Sequence, residues 1–278
     1  MLGKLLKYEF KSTSRVMWLL YLGLIGVALM LGIIVRVGDF AGMTEYSSSY
    51  INMNSEAMNS VLRILLIFLG ISYFLVLTAV MVITTVMIVL RFYRNILGDE
   101  GYLMHTLPVP TTHLLTSKLL ISVIWMLLAG ASAVVSGFVF MVSSGFLGFL
   151  IREGELIRVI KEVFEVLPWT TVILTLVSGL IGIVSSILLF YLSMAIGNMA
   201  NKNKFLFSVL AYLGLQTVLS IVASIVMVVG GGALFEQIYE AETFFNTINI
   251  TTIIINVLTA VGCFIATDWI LKRRLNLA

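Results

Sequence analysis

RFYRNILGDEGYLMHTLPVPTTHLLTSK, residues 91–118, is a long polar passage set between two apolar runs. It opens on Arg91 and Arg94, where one run ends, and closes on Lys118, where the next begins. Gly98 permits a turn. Asp99 and Glu100 then precede Gly101, Tyr102, Leu103 and Met104. Pro108 and Pro110 bracket Val109 and impose extended or turned backbone. Thr111 or Thr112 is placed to cap a helix that continues through Leu114 and Leu115 into the following run. These features describe a compact knob with an acidic edge and exposed apolar side chains. Links between helices in a bundle need only about 2–8 residues. The extra length points to docking in a groove on another protein. His105 and His113 have no cysteine or carboxylate at metal-ligating spacing, so no metal site is expected.

The runs on either side set the fold class. The 278 residues are 60% hydrophobic and 11% charged, with a mean hydropathy of +1.10. Soluble domains run about 45–50% apolar and about 25% charged. Lipid is therefore the solvent for most of the chain. Six apolar stretches, at about 16–35, 64–90, 119–142, 169–196, 205–229 and 247–267, each provide the roughly 20 residues a spanning helix needs. Basic residues fix the orientation, because they accumulate on the cytoplasmic side. Lys4, Lys7, Lys11, Arg15, Arg91, Arg94, Lys118, Lys202, Lys204, Lys272, Arg273 and Arg274 share one side, twelve of the 17. Arg36, Arg63, Arg152, Arg158 and Lys161 share the other. The expected fold is an all-α membrane protein, a single transmembrane domain over 1–278 with six transmembrane helices and both the N and C termini cytoplasmic.

Between the spans, residues 1–15 pattern as an N-terminal in-plane amphipathic helix. Leu2, Leu5, Leu6 and Phe10 share one side, and Lys4, Lys7 and Lys11 point toward headgroups. Gly38 to Ser60 is rich in Ser, Asn and Met and predicts an irregular outer loop. Within 151–168, Leu156, Ile160, Val163, Phe164 and Leu167 recur at helical spacing opposite Glu155, Arg158, Glu162 and Glu165. That pattern predicts an extracellular amphipathic helix ended by Pro168. Gly230, Gly231 and Gly232 predict a break at the outer end of span 5. The short acidic passage onward to Asn249 either dips back into the membrane or lies on its surface. Cys263, the one cysteine, reads as a packing residue.

None of the six apolar cores carries Asp, Glu, Lys, Arg or His. Ion-coupled transporters and voltage sensors rely on such groups. Asp268, at the end of span 6, has Lys272 four residues on, an i,i+4 ion pair. No GxxxxGK[ST] phosphate loop is present, so the chain has no ATPase of its own. The mild polarity of the spans offers a candidate substrate pathway at Thr78, Gln216, Ser220, Ser224 and Asn256. Interhelical hydrogen bonding is the competing reading for each of them. Ala129, Ala133 and Gly137 on span 3, and Ser178, Gly182 and Ser186 on span 4, are small-residue faces for close packing.

The string GDEGYLMHTLPVPTTHLLTSKLL, Gly98 to Leu120, resembles the signature between spans 2 and 3 of type 2 ABC-transporter permeases. The opening MLGKLLKYEFKSTSR resembles their N-terminal in-plane helix, and six spans with both ends inside match the family's layout across the chain. The resemblance implies a G-type-like ABC exporter type 2 transmembrane domain in a bacterial cell membrane. It implies a dimer of permeases, homo- or heteromeric, surrounded by membrane lipid and served by a separate ATP-binding subunit that holds ATP and Mg. It places Asp99, Glu100, Gly101, Tyr102, Leu103 and Pro108 in the ATPase-coupling segment, and spans 2 and 5 beside the central pathway. The chain itself is expected to carry no cofactor, no catalytic residue and no nucleic-acid partner. The expected function is export of an amphipathic or hydrophobic substrate, a small bacteriocin- or toxin-like peptide. The alternatives are a membrane sensor or assembly protein that binds a cytoplasmic regulator, and an ATP-independent channel or secondary transporter.

Overall fold

A computed structural model describes residues 2–43, 53–98, 110–152, 157–158, 161, 168–200, 203–234 and 241–273. The described residues contain no strand. The helices are α1 Leu2–Met43, α2 Met53–Phe92 with a terminal π turn Tyr93–Leu97, α3 Thr111–Ser143, α4 Phe146–Arg152, α5 Trp169–Asn198, α6 Lys204–Leu234 and α7 Ala241–Arg273. Six of them, all but α4, are long and apolar enough to cross a membrane.

Several boundaries differ from the sequence expectation, and always toward longer helix. Residues 2–15 are helical, as expected, and are continuous in backbone with the 42-residue α1. No proline interrupts that stretch, and every break in a membrane helix strands backbone groups that lipid cannot satisfy. The expected loop at Gly38 to Ser60 is helical at both ends, within α1 to Met43 and within α2 from Met53. Gly230, Gly231 and Gly232 do not break span 5 either, since α6 runs through them to Leu234. Glycine costs a helix only about 1 kcal/mol per residue, less than unpaired backbone costs in an apolar medium. From Ala241 the acidic passage is already part of α7. The expected outer helix at 151–168 falls largely outside the described residues; Ile157, Arg158 and Lys161 are helical.

The chain forms two compact units. One comprises Phe10–Val86 and Trp125–Val159. Here Met17, Tyr21, Leu24 and Ala28 make a buried stripe on α1, and Trp125, Ala129, Ser132 and Ser136 make one on α3. Both follow the i, i+4, i+7, i+11 spacing of one helix face. Trp125 stacks on Phe10 at 4.7 Å and donates to Thr13 Oγ1 at 3.1 Å, while Tyr21 donates to the Trp125 carbonyl at 3.0 Å. Farther along α3, the Tyr73 and Ser136 hydroxyls pair at 2.9 Å. Ala133 and Gly137, expected on the packing face, lie at its half-buried edge.

The other unit comprises Met1–Glu9, Met87–Ile124 and Ile160–Ala278. Its axis is α5, which runs parallel to α7 and antiparallel to α6. A ladder of side-chain bonds joins α5 to α7. Thr171 donates to Asn246 at 2.8 Å, Ser178 to Asn249 at 3.2 Å and Ser185 to Asn256 at 3.2 Å, and Asn249 donates back to Thr175 at 3.0 Å. Against α6, Gly197 lets the backbones close on Ser208, and Phe190 stacks on Tyr212 at 4.5 Å. Asn203, with φ +52°, turns the chain between the two helices. Tyr191, fully buried, stacks on Phe92 at 3.8 Å and pairs with the Ser122 hydroxyl at 2.7 Å.

Candidate functional site

The segment from Gly98 to Pro110 leaves the chain at the π turn and returns at Thr111. The six residues expected to contact an ATPase, Asp99, Glu100, Gly101, Tyr102, Leu103 and Pro108, lie outside the described residues. The two stems that carry the segment are described, and each ends in a polar cluster within one compact unit.

The first cluster is built on Glu9, which is 6% exposed. Arg91, at the end of α2, donates through Nε to Glu9 Oε2 at 2.8 Å, and its terminal nitrogen lies 2.7 Å from the same oxygen. That nitrogen also donates to the Glu9 carbonyl at 3.0 Å. Asn95, one turn on in the π turn, donates to Oε1 at 3.4 Å. Lys118, in the second turn of α3 and 4% exposed, ion-pairs with Oε1. One carboxylate therefore holds the departing stem through Arg91 and Asn95 and the returning stem through Lys118. Charge-assisted bonds of this kind are roughly twice as strong as neutral ones. Breaking a buried pair by removing one partner is correspondingly costly.

The second cluster is built on Asp268 of α7. Lys272 donates to Oδ2 at 2.6 Å, forming the i,i+4 pair expected from the sequence. Thr111 donates to Oδ1 at 3.0 Å. Of the two expected caps of α3, Thr111 or Thr112, the Thr111 hydroxyl reaches across to α7. The start of α3 is closed by the Pro110 carbonyl, which accepts from the His113 and Leu114 N–H groups at 2.9 and 3.4 Å.

Of the five expected pathway residues, Thr78 belongs to one compact unit and Gln216, Ser220, Ser224 and Asn256 to the other. Thr78 lies in the unit that contains most of α1 and α2, and its hydroxyl bonds the Phe74 carbonyl of its own helix at 2.8 Å. Ser220 and Ser224 bond the carbonyls of Gln216 and Ser220 at 2.8 Å each, and all three residues are exposed on α6. Asn256 accepts from Ser185 in the α5–α7 ladder, an interhelical hydrogen bond of the kind the competing reading describes. On α5, Ser178 and Gly182 face that seam as expected, whereas Ser185 rather than Ser186 is buried in it.

Sequence reasoning singled out neither Glu9 as a site nor the Thr111–Asp268 link. A signal for Glu9 was present: it is the single acid among Lys4, Lys7, Lys11 and Arg15. Nothing comparable marked Thr111 and Asp268, which are 157 residues apart. Among the described residues no group of His, Cys, Asp and Glu forms a metal centre. No protein-family model matches the chain, and neither a curated protein nor a solved structure does.

Proposed function

We propose that the chain is the permease subunit of a bacterial ABC exporter, working as a dimer with a separate ATPase and moving an amphipathic or hydrophobic cargo such as a small peptide. One observation carries the reading. The two strings that resemble type 2 permeases, KYEFK near the start and DEGYL to TSK between spans 2 and 3, meet at a single carboxylate, where Glu9 of the first pairs with Lys118 of the second. The buried ion cluster at the base of the segment holds both of its stems, which suits a segment that bears force. Six apolar helices without ionisable core residues agree with energy supplied by ATP in a partner rather than by an ion gradient.

The second permease copy has its own support. From Val209 to Val228 no residue of α6 is buried, and Gln216 is exposed there among aliphatic side chains. A primary amide facing hydrocarbon without partners is costly. A facing copy of α6 would relieve that cost through interhelical hydrogen bonds.

Purification from the native membrane in mild detergent tests the reading. A stoichiometric ATPase is expected to stay bound and to be lost when Glu100 and Leu103 are replaced. Glu100→Ala alone is expected to leave the protein folded and impair export into vesicles. A permease that purifies with no ATPase, or exports normally with Glu100→Ala, would turn attention to the sensor or channel reading.

A further inference from the structure

Segment 98–110 has two stems, and the described contacts of those stems lead to different places. Through Glu9 the departing stem (Arg91, Asn95) and the returning stem (Lys118) are tied to each other and to the first turns of α1. Through Asp268 the returning stem, at Thr111, is tied to α7. The α7 helix is in turn bonded to α5 at Asn246, Asn249 and Asn256. Both oxygens of each carboxylate are engaged, one acid serving the base of the segment and the other its return. We infer that Glu9 and Asp268 are positioning residues: Glu9 fixes the two described stems to each other and to the first turns of α1, and Asp268 fixes the returning stem to α7, which is paired with α5. This deepens the permease reading and rests on it for the word coupling.

The geometry separates the roles of the two acids. Glu9 sits beneath both stems and is nearly buried, so it sets their spacing. Asp268 shares its charge with Lys272, whose side chain is half exposed, and commits only Oδ1 to Thr111. Loss of the Thr111 hydroxyl therefore cuts the connection to α7 while leaving the ion pair within α7 in place. Serine at 111 keeps the hydroxyl; valine keeps the shape without it.

The test is amide hydrogen exchange on the full chain in lipid nanodiscs, read at 93–98 and 111–118 and, as an internal reference, in the middle of α5. Local opening of this kind is what exchange measures. Thr111→Val is expected to speed exchange at 111–118 about tenfold with the α5 reference unchanged, and Thr111→Ser to restore it. Glu9→Gln is expected to speed exchange in both stems by more than in α5. Unchanged stem exchange in Thr111→Val and Glu9→Gln overturns the inference. So does an equal rise in stems and α5, which marks general destabilisation. No ATPase is needed for this measurement. Its failure removes the anchors and leaves the permease reading to be decided by ATPase co-purification, whereas the absence of a co-purifying ATPase removes that reading and leaves the anchors.

Discussion

Lys118 and Lys272 each neutralise one carboxylate, and their surroundings set how much each is worth. Lys118 is 4% exposed, and removing it leaves a buried Glu9 with Arg91 as its remaining described cation. Lys118→Ala is expected to cost about 3–5 kcal/mol, seen as a large fall in melting temperature in detergent. Lys272 is half exposed, and Lys272→Ala is expected to cost no more than about 1 kcal/mol. Equal losses from the two substitutions would contradict the burial argument. Glycine gives a second contrast. A methyl group at Gly197 would meet Ser208 Oγ and lie 2.5 Å from the Ser208 backbone nitrogen, so α5 and α6 would have to part. At Gly32 a methyl group would meet the Ser143 hydroxyl, which can rotate, and would lie 2.8 Å from Ser143 Cβ and 3.1 Å from the Phe140 carbonyl, a looser backbone approach than at Gly197. Gly197→Ala is expected to destabilise by about 1–3 kcal/mol, and Gly32→Ala by less, measured by denaturation of the reconstituted protein.

At the scale of elements, hydropathy was enough to find the spans, because a bilayer demands about 20 apolar residues and few other contexts do. It failed at their ends. Helix propagates past the apolar core wherever no proline stops it, which is why α1 absorbs residues 2–15 and α6 absorbs three glycines. Side-chain pairing was only half legible. Ser178, Gly182 and Ser186 signalled a packing face on span 4, and Asn256 signalled either a pathway or interhelical hydrogen bonding, but that span 4 meets span 6, with Ser185 on Asn256, depends on a rotation that sequence spacing does not specify. The ion cluster was least legible of all, since its members come from three helices. Among the elements α6 stands apart, with its exposed amide at Gln216. If a second copy covers that face, Gln216→Leu removes interhelical hydrogen bonds and is expected to lower the dimer fraction in nanodiscs by single-molecule photobleaching. If the face meets lipid, the same change only removes a cost, and the dimer fraction stays as it was.

For the molecule as a whole, the six apolar cores carry no Asp, Glu, Lys, Arg or His, the groups on which ion coupling relies. On the proposed permease reading, transport in inverted vesicles is expected to survive a protonophore and to stop when ATP is withdrawn; the reverse pattern would favour a secondary transporter. The Glu9 cluster also has a consequence during synthesis. Its cations are made 82 and 109 residues after the acid. At roughly 5–20 residues per second, the ribosome needs on the order of 10 s to reach Lys118. Through that interval the Glu9 carboxylate, at the head of the first hydrophobic helix, has Lys4, Lys7, Lys11 and Arg15 nearby in sequence but neither Arg91 nor Lys118. An incomplete chain thus carries its own mark of immaturity, one that disappears when the third helix arrives.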